Sequence, residues 1–281
     1  MSNTSTRPGI VVGVDGSPGS VVALRWAARN AEMRNLPLTL VHVCHGHREH
    51  GQRILSEARQ VVADACPGGS VRVHREMPIA HAVSALVDQS KNATLVVVGC
   101  LGTGTLRGRR LGSVSSGLTH YAHCPVAVIH DGIGLDLDST APVVVGIDDS
   151  SASQSAAAIA FDEASHRKVE LVALRAWKDV SPFDSAVSFS GKGWRALHAK
   201  EEESMALQLA PWIDRYPDVP VRRVIVRDND AARRLIDQSR SAQLIVVGSH
   251  GSGGFAGMLL GSVSAAVVLL SRVPVIVARQ R

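Results

Sequence analysis

The stretch Leu95-Val96-Val97-Val98-Gly99-Cys100-Leu101-Gly102 is an apolar run that ends in two closely spaced glycines. Nine residues separate Gly102 from the pair Gly112-Ser113, so the pattern is Gly, two residues, Gly, nine residues, Gly, Ser. The same pattern begins again at Gly248, 149 residues after Gly99 and behind the same kind of apolar run. A spacing that is kept twice in one chain predicts an internal duplication of one domain.

The first strand of each copy carries the same duplication. Val12-Gly13-Val14-Asp15-Gly16-Ser17 matches Val145-Gly146-Ile147-Asp148-Asp149-Ser150 at an offset of 133 residues. Because the glycine loops are 149 residues apart, the second copy holds 16 additional residues (149 − 133) before its loop. Leu40–Val43 and Ala173–Ala176 are still 133 residues apart, so the additional residues must follow Ala176. The segment 177–193 contains proline, glycine and several serines and is predicted to be a long loop.

Each copy alternates short Val-, Ile- and Leu-rich runs with helical patterns, which predicts βαβ crossovers and a parallel sheet. The chain is 45% apolar but only 4% aromatic, as is typical of strands buried on both faces. We therefore predict an α/β fold of two tandem Rossmann-like domains, over 1–134 and 141–281, with a linker at 131–142. The predicted strands are 10–15, 38–43, 70–75, 94–99, 125–129, 142–148, 169–176, 221–226, 243–248 and 273–278. The predicted helices are 18–35, 52–65, 79–90, 113–122, 151–166, 195–214, 230–240 and 262–271.

Composition narrows the class of partner. The formal net charge of +5 favours anions, but the basic residues are spread along the chain, so we expect phosphate-sized ligands and not nucleic acid. Met1–Pro8 has no apolar signal segment, and no apolar run reaches the ~18 residues of a membrane helix, so a cytoplasmic protein without a membrane partner is expected. The four cysteines, Cys44, Cys66, Cys100 and Cys124, are spaced irregularly and are expected to be reduced thiols.

Asp15 and Gly99 both end apolar strands. In an open parallel sheet, ligands bind beyond the carboxyl ends of the strands, so these residues are expected to meet in one crevice. Gly99 and Gly102 would let backbone N–H groups approach phosphate oxygens, and Gly112-Ser113 would present the first amides of a helix. Hydroxyl donors are expected from Ser113 and Ser115 and from their counterparts Ser262 and Ser264. The Asp15 carboxylate would be repelled by phosphate, which makes ribose hydroxyls its expected partners.

Simpler interpretations stay open. The glycines could only form turns and the serines could only cap helices, although two loops of identical spacing favour binding. The chain contains no G-x-x-x-x-G-K-[ST] sequence, and no G-x-G-x-x-G follows the first strand. The tract that runs from His42 through Cys44, His45 and His47 to His50 could hold zinc or copper, but it is crowded for tetrahedral closure, so no metal site is predicted. Cys100, beside the expected phosphates, could be a redox-sensitive thiol.

Several features are typical of one known family: the run Val12–Ser17, the strand end at His42-Val43, the two glycine loops, and the apolar runs after Cys124 and Val273. In these features the chain resembles the universal stress protein family in its tandem, ATP-binding form. The resemblance implies the strand order 3-2-1-4-5, pairing between the last strands at 125–129 and 273–278, and a homodimer. It also implies ATP as ligand, possibly with Mg²⁺, with one adenine-nucleotide site per domain, Asp15 and Asp148 at the ribose, and Val43 and Ala176 near adenine. The implied ATP-binding residues are Gly13, Asp15, Val43, Gly99, Gly102, Gly112, Ser113, Val114 and Ser115 in the first domain, and Gly146, Asp148, Ala176, Gly248, Gly251, Gly261, Ser262, Val263 and Ser264 in the second.

The chain departs from the family pattern in places. Asp149 stands where the first copy has Gly16, which adds a carboxylate near the second site and is expected to lower its affinity. Arg107, Arg109 and Arg110 lie in the first glycine loop, where the second has Gly257, Leu259 and Leu260. These arginines could strengthen phosphate binding or simply face solvent, as exposed loop arginines commonly do. Of the two sites, the first is expected to bind more tightly. Met77-Pro78 replaces an expected Gly-x-Pro turn.

The predicted function is ATP-dependent regulation in stress response or dormancy, through protein partners that the sequence does not identify. No residue is evidently placed as a catalytic base, so no enzyme is expected beyond slow ATP hydrolysis. Two alternatives are open. One is an adenylate-using enzyme on the same fold, such as an ATP-pyrophosphatase-like enzyme, a slow ATPase or a nucleotidyl transferase. The other is an interaction module whose nucleotide sites are degenerate.

Overall fold

The computed structural model describes residues 9–44, 46, 48–102, 111–130, 139–177, 191–251 and 260–279. Residues 191–194, at the start of a helix, are described by their backbone alone. Two compact units share the chain. The first consists of residues 1–139 together with 268–281, and the second of residues 140–267.

In the first unit, a parallel sheet of order β3-β2-β1-β4-β5 is flanked by helices. Its strands are short and, apart from β3, largely buried, because Val, Ile and Leu fill both faces. The Ser17 hydroxyl accepts a hydrogen bond from Ser20 N–H and, with Pro18 behind it, fixes the start of the first helix. The strands are β1 Ile10–Gly13, β2 Leu38–Val41, β3 Val73–Glu76, β4 Leu95–Gly99 and β5 Val126–Ile129, and the helices are α1 Pro18–Arg34, α2 Arg48–Ala65, α3 Ala82–Ser90 and α4 Ser113–Tyr121.

The second unit repeats this design, with parallel strands in the order β9-β6-β7-β8. Ser150 caps its first helix as Ser17 caps α1, and the helix ends at Lys168 with φ 55°, as α1 ends at Asn35 with φ 50°. The strands are β6 Val143–Gly146, β7 Leu171–Trp177, β8 Val221–Arg227 and β9 Leu244–Gly248, and the helices are α5 Ser151–Arg167, α6 Gly191–Arg215 and α7 Ala231–Ser239. The helix α8 Ser262–Leu270 follows the second glycine loop.

The last strand, β10 Val275–Ala278, belongs to the first unit, where it lies antiparallel to β5. Val275 is opposite Val128 and Val277 is opposite Val126, so the implied pairing of 125–129 with 273–278 is confirmed. Behind the strand, the Arg279 guanidinium donates hydrogen bonds to three carbonyl oxygens at the end of α4. A cation at that end of a helix is favourable, because the last carbonyls have no partners within the helix.

The predicted fold class is confirmed, and several element boundaries are corrected. The helix predicted at 52–65 begins earlier, at Arg48, and the helix predicted at 79–90 begins later, at Ala82. β3 begins at Val73, because only the residues from there on pair with β2. The segment predicted as a loop over 177–193 is shorter, since β7 includes Trp177 and α6 begins at Gly191. Glycine is a poor helix former, but propensity is a weak prior that tertiary packing overrides. Residues 178–190 and 131–138 lie outside the described residues, and the domain boundaries stay a prediction.

Candidate nucleotide site

A cavity of about 510 Å³ lies at the carboxyl ends of β1, β2 and β4 in the first unit. Small-molecule sites usually have volumes of this size, and this edge of a parallel sheet is where they form. All nine site residues predicted for the first domain line it: Gly13, Asp15, Val43, Gly99, Gly102, Gly112, Ser113, Val114 and Ser115. The structure therefore brings the predicted set together, while the role of each residue in binding stays a prediction.

The apolar wall of this cavity was not predicted from the sequence. Ile54 from α2 and Ala82 and Leu86 from α3 line the cavity. Their only sequence signal is that of apolar residues on an amphipathic helix, which does not separate a core contact from a ligand contact. How the helices pack on the sheet decides which of these side chains meet the cavity.

Asp15 lies between the start of α1 and the first glycine loop. Its Oδ1 accepts hydrogen bonds from the Ser17 backbone N–H (3.0 Å) and hydroxyl (2.6 Å). Its Oδ2 faces Gly102 so closely that a Cβ on the glycine would lie 2.6 Å from it. Any side chain at Gly102 would therefore fill the space beside the carboxylate, which explains the second glycine of the pattern.

The ends of the first glycine loop are joined by hydrogen bonds. Gly112 N–H donates to the Cys100 carbonyl (2.8 Å), and the Ser115 hydroxyl donates to the carbonyls of Cys100 and Gly112 (both 3.0 Å). Without a ligand this hydroxyl therefore holds the loop closed, and the donor role predicted for Ser115 towards a ligand stays a prediction. Ser113 is exposed at the start of α4, where the helix dipole favours anions.

The His42 side chain lies at the same cavity, with Nδ1 2.9 Å from the Val14 carbonyl oxygen. A carbonyl only accepts, so Nδ1 carries the hydrogen. His45 and His47 lie outside the described residues. Among the residues that the structure describes, no group of three or more His, Cys, Asp or Glu side chains is placed to hold a metal ion. All four cysteines are free thiols and buried; Cys44 lines the cavity and Cys100 lies between two of its lining residues, Gly99 and Leu101.

The second unit repeats the core of this geometry. Asp148 Oδ1 accepts from the Ser150 backbone N–H (3.0 Å) and hydroxyl (2.5 Å), and a Cβ on Gly251 would lie 2.8 Å from Asp148 Oδ2. Gly261 N–H donates to the Ser249 carbonyl (2.7 Å), as Gly112 does to Cys100. The Ser264 hydroxyl donates to the Gly248 carbonyl (2.5 Å), and its predicted donor role towards a ligand likewise stays a prediction.

The remaining members of the second predicted set keep the places of their counterparts. Gly146 ends β6, Ala176 is near the end of β7, and Ser262 and Val263 begin α8. A Cβ on Gly146 would touch Leu235 of α7 as one on Gly13 would touch Leu86 of α3. The structure thus places the glycines, aspartates and serines of the two predicted sets on corresponding elements, whereas Val43 follows the end of β2 and Ala176 lies within β7.

Asp149 does not present the free carboxylate expected from the sequence. Arg175 Nη2 donates to both of its oxygens (2.9 and 2.8 Å), and Gln208 donates to Oδ1 (2.9 Å). The hydrogen bonds from Arg175 hold the pKa of Asp149 below its usual value, against the opposing effect of burial. The expected repulsion of phosphate by Asp149 is therefore reduced by a neighbouring cation. Arg107, Arg109 and Arg110 lie outside the described residues, as do Gly257 and Leu259, so their contact with phosphate or with solvent stays open.

None of the helices in the described part of the chain combines the length and apolarity needed to cross a bilayer.

Comparison with known proteins gives the family. The model of the universal stress protein family matches residues 8–130 and again 140–279. A universal stress protein of Mycobacterium tuberculosis strain H37Rv is 49% identical over 299 aligned residues, which cover 100% of this chain and 99% of the relative. Another from the same strain is 46% identical, with 100% of both chains covered.

A solved structure shows the likeness of fold. The crystal structure of a universal stress protein from Archaeoglobus fulgidus has a TM-score of 0.71, with 98% of this chain and 97% of that chain covered. At 19% identity this comparison concerns the architecture alone. Family model, full-length relatives and fold agree: the chain belongs to the universal stress protein family.

Proposed function

We propose that this protein binds adenine nucleotides, ATP in particular, in the cavity of the first unit. The observation that carries the proposal is the convergence of nine predicted residues on one cavity of about 510 Å³ at the carboxyl edge of the sheet. The cavity pairs an apolar wall for a base with a glycine loop and a helix start for phosphates. Each repeat would hold one nucleotide, because the second unit keeps the same Asp–Ser and Asp–Gly contacts.

The residues divide by chemistry. Asp15 would accept hydrogen bonds from ribose hydroxyls, and Val43 with Leu86 would contact the base. Backbone N–H groups of the glycine loop and of Ser113 to Ser115 would receive the phosphates, with Mg²⁺ as a possible counter-ion carried by the nucleotide. We propose that the protein acts as a regulator in stress response or dormancy, with nucleotide occupancy controlling its binding of protein partners, and not as an enzyme beyond slow hydrolysis. A cytoplasmic homodimer is part of the same proposal.

Isothermal titration calorimetry of nucleotide-free protein with ATP tests the proposal directly. We expect saturable binding and no measurable AMP or pyrophosphate over the course of the titration. Rapid turnover to AMP and pyrophosphate would instead support an adenylate-using enzyme. The absence of binding would support an interaction module with degenerate sites. Mass spectrometry of nucleotide that co-purifies with the protein gives an independent check.

A further inference from the structure

The wall of the first cavity that would contact the base depends on two glycines. His42 lines the cavity and is half-buried, and a Cβ on Gly51 of α2 would lie 2.9 Å from its Cδ2. Ile54 of α2 lines the cavity as well, and a Cβ on Gly16 would lie 3.6 Å from its Cδ1. Each of the two lining side chains therefore faces a residue that adds no side-chain atoms to the wall.

The second unit has counterparts of these four positions. β6 pairs with β7 in the same register as β1 with β2, at an offset of 133 residues. α6 corresponds to α2 at an offset of 150 residues, because the turn closed by Gly69 N–H and the Cys66 carbonyl recurs with Val219 and Tyr216. The corresponding residues are Arg175 for His42, Asp149 for Gly16, Glu201 for Gly51 and Ser204 for Ile54.

Both contacts between these positions recur in the second unit, now through polar side chains. Glu201 accepts a hydrogen bond from Arg175 Nε at 2.6 Å, and the Ser204 hydroxyl donates to Asp149 Oδ1 at 3.4 Å. Arg175 Nη2 also donates to both oxygens of Asp149, at 2.9 and 2.8 Å. Asp149, Arg175 and Glu201 thus form one bridge from the start of α5 across β7 to α6, which we call the Arg175 bridge.

The Arg175 bridge stands where the first unit has its base wall. Arg175 is longer than His42, yet it is only 5% exposed, and its guanidinium lies between two carboxylates. An aspartate and a glutamate occupy the two positions that are glycines in the first unit. A base that entered here would have to displace the guanidinium from hydrogen bonds to charged acceptors, which are stronger than those to neutral ones.

The two ends of the bridge differ in their access to water. The Asp149 side chain is 61% exposed, whereas that of Glu201 is 23% exposed. Water can replace the guanidinium at an exposed carboxylate at little cost, so the bridge is weakest at Asp149. The contact with Glu201 is the one that keeps Arg175 in place, because a partly buried charge that loses its partner is not fully solvated.

We propose that the Arg175 bridge closes the base end of the second site, and that the second unit binds ATP only after the bridge has broken. A chain with the bridge intact then binds one ATP tightly, in the first unit. Asp148 keeps its contacts with Ser150 and Gly251, so removal of the bridge leaves the rest of the site in place. This inference rests on the proposed nucleotide-binding function and makes the two repeats unequal in it.

Calorimetry of the nucleotide-free full chain with ATP counts the equivalents that bind. Wild type should bind one ATP tightly, and any second equivalent at least about tenfold more weakly. The bridge-free variant Asp149→Gly/Arg175→His/Glu201→Gly carries the residues of the first unit and should bind the second equivalent at least about tenfold more tightly than wild type does. Gly251→Val added to this variant should remove that equivalent, since a Cβ there would lie 2.8 Å from Asp148 Oδ2.

The matched control is Glu170→Ala/Arg222→Ala. It breaks another ion pair of the second unit, with Arg222 Nε 3.3 Å from Glu170 Oε2, at the amino ends of β7 and β8 and so at the opposite edge of the sheet. The control should still bind one ATP tightly. Circular dichroism melting shows whether each variant is folded, and Arg175→His alone takes the place of the triple variant if that variant does not fold.

Two tight equivalents in wild type overturn the inference and leave the proposed function standing. A single equivalent in the folded bridge-free variant, or the same gain in the Glu170→Ala/Arg222→Ala control, has the same consequence. No ATP binding by wild type overturns the proposed function for the first unit, and a gain in the bridge-free variant that Gly251→Val removes would then still support the inference. No binding by either protein overturns both.

Discussion

The carboxylate of Asp15 leaves no room for a side chain at Gly102, since a Cβ on this glycine would lie 2.6 Å from Asp15 Oδ2. The two residues come from different segments, the end of β1 and the loop after β4. Their contact joins the expected ribose side of the cavity to its expected phosphate side. Gly251 and Asp148 repeat the relationship at 2.8 Å.

Gly102→Ala should therefore weaken ATP binding by about tenfold or more, because the new methyl group displaces the Asp15 carboxylate or the loop. Calorimetry measures the affinity. Gly68→Ala is the matched control, since no atom lies within 4 Å of a Cβ at that glycine and its φ is not positive. Equal ATP affinities of the two variants would contradict the role of this contact.

Asp15→Asn tests the ribose contact. The amide oxygen can still accept from Ser17, so we expect the free energy of unfolding to change by less than about 1 kcal/mol. ATP affinity should fall about tenfold, because hydrogen bonds to a charged acceptor are the stronger ones. The substitution should cost less with 2′-deoxy-ATP or 3′-deoxy-ATP if the carboxylate binds the missing hydroxyl. Equal losses with all three nucleotides would place Asp15 elsewhere than at the ribose.

Gly99→Ala is expected to destabilise the fold and not only the site. A Cβ on Gly99 would lie 2.8 Å from the Gly19 carbonyl carbon and 2.9 Å from its oxygen, and backbone at the start of α1 cannot move aside cheaply. The expected loss is about 1–3 kcal/mol of unfolding free energy, measured by urea denaturation. Gly248→Ala should behave alike, because it would meet the Ala152 backbone at 2.9 Å. A loss no larger than that of Gly68→Ala would refute the close packing of α1 on β4.

Cys66 predicts a pH dependence of stability in alkali. Burial, with the neighbouring Glu32 carboxylate second, raises the pKa of its thiol from 9.0 to about 11. The folded state thus prefers the protonated thiol more than the unfolded chain does, which stabilises the fold below pH 9. This contribution should fade as the pH rises from about 9 to about 11. The difference in unfolding free energy between wild type and Cys66→Ala, measured at pH 8, 9, 10 and 11, isolates it, and a constant difference would contradict the shift.

Much of the second unit could be predicted from its alignment with the first, but the contacts of Arg175 could not. Arg175 was aligned with His42 from the sequence, yet nothing local shows that its guanidinium turns to Asp149 and Glu201. Glu201 is 26 residues away, beyond a segment of irregular length, so the sequence offers no spacing rule that pairs them. Ser115 shows the same limit on a smaller scale, because a hydroxyl at a helix start can face a ligand or its own loop.

The sequence by itself determined the duplication and the α/β class, and its resemblance to a known family supplied the nine residues that line the cavity of the first unit. The duplication and the class depend on periodicity or spacing along the chain, and short-range backbone requirements such as glycine at a close approach leave their mark there. Only the tertiary structure decided which helix side chains complete the cavity and that two carboxylates bind Arg175. Those contacts join residues far apart in the chain, where the packing of helices on the sheet, and not local pattern, selects the partners.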